Sequence, residues 1–161
     1  MTGRTVPQLP SSDLPGADWE DRQHALVSGR AMTAGEAVRA ALGGEMPGWV
    51  SFLMRLRNRI VAVVGLKGAG PGAELDPARS IGGFPVVSET PSKVVLGFDD
   101  WHLDFRIVVE TRAEPQGTDV SISTLVKRKH WFGKLYIFLI TPFHILIVRQ
   151  SLKMLTVGSF Q

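Results

Sequence analysis

The sequence predicts an α+β domain in which a curved antiparallel sheet wraps around a long C-terminal helix. Three observations carry this. A capped, amphipathic helix signal stands near the N-terminal third, a run of β-rich segments with short turns fills the second half, and a long apolar element closes the chain. At 161 residues the chain fits one compact domain, expected here as 18–161 behind a loose leader of residues 1–17. Met1 to Leu14 carries Pro7 and Pro10 among small polar residues and has no apolar h-region, so it does not read as a signal peptide.

Element by element, Trp19 to Ser28 shows a weak alternation interrupted by charged residues, and is expected as a first strand. Thr33 and Glu36 stand three apart as a capping box, Val38 and Leu42 give the apolar stripe, and Gly43–Gly44 supply the stop. A second helix is expected from Pro47, with Phe52, Leu53, Leu56, Ile60, Val63 and Val64 at helical spacing. The glycines of Gly65–Gly72 do not make a phosphate loop. Such a loop needs a strand before it and a helix start after it, and here the order is reversed.

The β segments follow at Phe84–Ser88, Lys93–Phe98, Trp101–Arg112 and Thr118–Lys129, rich in Val, Ile, Phe and Thr. Thr90–Pro91–Ser92, Asp99–Asp100 and Glu114 through Gly117 separate them with turn chemistry, so neighbours run antiparallel as a meander. The two later strands, at about 35–40 Å, are long enough to twist and coil into a curved sheet. From Trp131 to about Leu155 the chain is apolar, and Pro142 leaves two parses: a strand followed by a fresh helix, or one kinked helix. The single helix is favoured, because Gly133–Lys134 gives too little turn for another meander strand. Its fourteen-residue apolar run, Leu135–Val148, spans roughly 21 Å and contains Pro142 and His144, which argues against a membrane span.

Composition closes several routes. There is no cysteine, so disulfides, thiolate nucleophiles and thiolate metal sites are excluded. This suits a reducing cytoplasm. The net charge is +3, and the only basic run, Lys127–Arg128–Lys129, sits at a strand end, so no nucleic-acid partner is expected. His24, His102, His130 and His144 are scattered, with no pair at ligand spacing, so no metal is expected. No GxSxG elbow is present.

Three segments together, PGWVSFLMRLRNRIVAVVGLK (Pro47–Lys67), FDDWHLDFR (Phe98–Arg106) and GKLYIFLITPFH (Gly133–His144), resemble a bacterial domain-of-unknown-function family, the one numbered twenty-eight sixty-seven. The resemblance runs from about Asp18 onward. It implies the helix-grip fold of the START-like (SRPBCC) superfamily, with a cavity between sheet and final helix. Members of that superfamily bind lipids, hormones or polyketides, and a few are enzymes, so no reaction is implied. Family members also occur behind short-chain-dehydrogenase-like domains. No such domain is read in these 161 residues, so no cofactor is expected.

Two constellations are chemical candidates. In the strand Trp101–Arg112, odd positions Trp101, Leu103, Phe105, Ile107 and Val109 form an apolar face, and His102, Asp104 and Arg106 share the other. There Asp104 is able to orient His102 as a base. The alternative is an ion-pair ladder on the convex side, favoured because the apolar face belongs against the helix. His144 is the second candidate, a lone imidazole in an apolar helix, with a structural hydrogen bond as the plainer reading. Trp49, Tyr136 and Phe143 either line a ligand cavity or pack in the core. The leading expectation is a module binding a small, largely apolar molecule. The alternatives are an enzyme acting on a carbonyl or ring substrate through His102, Asp104 and His144, and a homodimeric interaction module.

Overall fold

A computed structural model describes residues 2–5, 9, 11–43, 79–99 and 103–157. The second helix expected from Pro47 and the Gly65–Gly72 loop lie outside the described residues. The elements are β1 (Thr2–Thr5), β2 (Trp19–Ser28), α1 (Ala34–Leu42), β3 (Ser80–Ile81), β4 (Phe84–Glu89), β5 (Lys93–Asp99), β6 (Leu103–Glu114), β7 (Gly117–Arg128) and α2 (Trp131–Val157). The strands form one curved, seven-stranded antiparallel sheet in the order β1-β2-β7-β6-β5-β4-β3.

Each connection has a local cause. The Thr33 side chain accepts from the Glu36 amide while the Glu36 carboxylate accepts from the Thr33 amide, so α1 starts with the capping box its spacing predicts. The first amide of α1, at Ala34, donates to the Pro91 carbonyl at 2.8 Å, which docks the helix on the β4–β5 turn. That turn is closed by Thr90, whose hydroxyl accepts from the Lys93 amide at 3.0 Å. Gly82 and Gly83, at φ 59° and 82°, are the two central residues of the β3–β4 hairpin, where the twist of the flanking strands requires positive φ at both. The final element is one helix, with Pro142 inside it. Thr141, beside the proline, donates its hydroxyl to the Ile137 carbonyl at 2.6 Å.

Both described helices lie on one face of the sheet. There Ala34, Ala37, Val38 and Ala41 of α1 and Val148, Leu152 and Leu155 of α2 share a core with Ala25, Val27, Val94, Leu96, Ile107, Val109, Val120 and Ile122. A second cluster joins Leu103, Val126 and Ile137, so α2 is anchored near both ends. The odd positions of β6 therefore face the helices, as alternation predicts.

The segment expected to be a loose leader is structured where it is described. Thr2–Thr5 pairs with Arg22–Ala25 as β1. On the sheet face away from the helices, Leu14 is buried against Val95, Val108 and Leu125, and Asp13 pairs with Lys93 at 2.7 Å. A single leucine among prolines gives no periodic signal. Its role comes from an apolar patch on the outer face that only the assembled sheet creates.

Candidate functional site beneath the C-terminal helix

The candidate site is a polar cluster within the apolar interface between β2 and α2. Register places Trp19, Asp21, Gln23, Ala25 and Val27 on the helix-bearing face of β2. Ala25 and Val27 fill the core, whereas Asp21 and Gln23 put polar groups in the same row. The Asp21 side chain is fully enclosed. Its Oδ1 accepts from Arg4 Nε at 2.8 Å and its Oδ2 from Gln23 Nε2 at 2.8 Å. The Gln23 amide also reaches the Ile145 carbonyl of α2 at 3.3 Å, tying strand to helix. Thr124 of β7, opposite Asp21 in register, is buried beside it.

His144 completes the cluster from above. It is 19% exposed, its ring stands edge-on to Trp19 with centroids 5.8 Å apart, and its Nε2 lies 3.8 Å from Asp21 Oδ2. That separation exceeds a hydrogen bond, and among the described residues the enclosed Nε2 has no hydrogen-bond partner. Burial pushes the His144 pKa below its usual value. The nearby Asp21 carboxylate opposes this and the Arg4 guanidinium reinforces it. A neutral imidazole follows, with one ring nitrogen able to donate and the other to accept.

The other sequence candidates lie elsewhere. Asp104 sits on the outer face of β6, ion-paired with Lys129. Arg106, on the same face, pairs with Asp99 at 2.7 Å and donates to the carbonyls of Phe98 and Phe105. The Arg106 guanidinium holds the Asp99 carboxyl below the usual carboxylate range. Asp104 and His144 are thus on opposite faces of the sheet and do not meet, which counts against the enzyme alternative that joins them. The pleat that makes Phe105 a core residue turns its neighbours outward. His102 and Trp49 lie outside the described residues. Phe143 is 44% exposed. Tyr136 lies in the first half of α2.

Arg4, Asp21 and Gln23 were not singled out from sequence. The signal was present: Asp21 and Gln23 share parity with Ala25 and Val27, which makes them polar residues on a core-facing row. Among the described residues, no group of three or more His, Cys, Asp or Glu side chains is placed to hold a metal ion. No described helix is long and apolar enough to cross a membrane.

Fold and site define an α+β domain with a long helix closing over one face of a curved sheet and a small polar cluster enclosed beneath it. The chain belongs to the family described as "Protein of unknown function (DUF2867)", whose model matches residues 14–151. No curated protein and no solved structure matches it.

Proposed function

We propose that this domain binds a small, largely apolar molecule between the sheet and α2, with one polar group of the ligand meeting His144 and Asp21. The observation that carries this reading is the enclosed Nε2 of His144, unpartnered among the described residues and set 3.8 Å from a buried carboxylate within an apolar interface. Buried polar atoms ordinarily have partners, and ligand sites combine apolar walls with a few converging polar groups. A ligand hydroxyl beside the pair suits it, because it donates to the carboxylate and accepts from the imidazole Nε2–H. In this reading the layout is a helix-grip of the START-like kind, working in a bacterial cytoplasm. The order of elements, the closing helix and the absence of cysteine support it.

Native mass spectrometry of freshly purified protein, followed by solvent extraction, tests this directly. A reproducible bound mass is expected in the parent chain and in Asp104→Asn, whose side chain lies on the outer face. It should be reduced in His144→Gln and Asp21→Asn. A clean apo mass together with no uptake of an apolar fluorescent probe refutes the reading.

A further inference from the structure

The outer side of α2 presents a second feature, independent of the cluster beneath it. Trp131, Leu135, Phe138, Pro142 and Leu146 recur at intervals of three and four residues and are all exposed, Trp131 at 74% and Phe138 at 77%. They form one apolar stripe about 22 Å long at the usual helical rise. Ile137, Val148, Leu152 and Leu155, the buried residues of the same helix, lie on another side and hold it to the sheet. Exposed apolar surface of this continuity marks an interaction site.

Charge identifies the occupant. Lys134 lies three residues after Trp131 and four before Phe138, while Arg149 and Lys153 continue the stripe beyond Leu146. All three cations are exposed and make no ion pair among the described residues, and α2 contains no Asp or Glu. A second copy docked through this face would bring like charges together. A protein partner would also find no hydrogen-bonding side chain on the stripe beyond the Trp131 indole to fix its register. An anionic bilayer needs no register. It takes apolar side chains below the headgroups, an indole at the headgroup level and cations at the phosphates.

From this we infer that α2 seats the domain on the surface of an anionic lipid bilayer, lying in the interface with Phe138 and Leu146 inserted and Lys134, Arg149 and Lys153 at the headgroups. The test is flotation of the full chain with vesicles of phosphatidylcholine alone and of phosphatidylcholine mixed with phosphatidylglycerol. Binding is expected on the mixed vesicles only, and should weaken at high salt. Each cation near such a surface contributes about fivefold, so Lys134→Gln/Arg149→Gln/Lys153→Gln should lose about a hundredfold in affinity. Phe138→Ser/Leu146→Ser should also release the protein while leaving its melting temperature unchanged. The inference is overturned by absence of binding, by equal binding to both vesicle types, or by binding that either variant leaves intact. It is also overturned if the parent chain sediments as a dimer that Phe138→Ser/Leu146→Ser converts to monomer, since a second copy then covers the stripe. A melting temperature several degrees lower in that variant would overturn it too, because the stripe would then be covered by the chain itself.

Discussion

Replacing His144 by glutamine should flatten the acid side of the stability profile. The imidazole is held in its neutral form by burial, so the folded state binds fewer protons than the unfolded chain, whose histidines titrate near 6.5. The sign follows from linkage. A histidine with a depressed folded pKa contributes stability that is whole above the unfolded pKa and is lost as pH falls through 6.5 toward the lower folded value. The Asp21 carboxylate of β2 and the Arg4 guanidinium of β1 face the ring with opposite effects, and desolvation outweighs both. Lowering the pH from 7.5 to 5.5 costs at most about 1.4 kcal/mol through His144, the limit for a folded site that takes up no proton. For a chain of this size that is roughly 3–5 °C in melting temperature. The assay is urea unfolding at pH 7.5, 6.5 and 5.5 for the parent chain and His144→Gln. The remaining histidines are common to both, so the difference isolates one residue. Identical pH dependence in the two proteins would refute the claim that His144 is buried and neutral.

Leu152 is fully buried where α2 meets α1 and the sheet, and Leu152→Ala should cost about 2–5 kcal/mol in urea unfolding. A loss below that range would mean the helix is not fastened there. Gly97, in the middle of β5, has φ 152°, and a Cβ on it would collide with the Phe105 carbonyl of the neighbouring strand. Gly97→Ala should therefore destabilise by more than about 1 kcal/mol, read as a lower midpoint in thermal unfolding.

The elements that were legible are those whose signals are local. The Thr33–Glu36 capping box names the start of α1 because both hydrogen bonds close within one turn. The Thr90–Pro91–Ser92 turn and the Val- and Phe-rich runs on either side of it name β4 and β5. Alternation also gave the correct inward face of β6. The candidate site was less visible, because it is made by pairing. Arg4 reaches Asp21 only through the β1–β2 register, and His144 meets them only once α2 lies across β2. His144 could be singled out as the polar residue in an apolar helix. Asp104, equally conspicuous in sequence, turned outward to Lys129. Leu14 was invisible for the same reason as Arg4, since the patch it covers is assembled from β5, β6 and β7.

The sheet narrows toward its margins. Among the described residues its longest strands, β6 and β7, have twelve residues each, while the outermost two, β1 and β3, have four and two. A margin this short offers few unsatisfied amides and carbonyls for a foreign strand to extend, which is how β proteins avoid serving as templates for aggregation. At β1 the deterrent is reinforced by Arg4, whose guanidinium is committed to Asp21 and sets a charge at the rim. An intruding strand would have to lie alongside that charge. The residue that steadies the enclosed carboxylate thus also guards the sheet against runaway polymerisation.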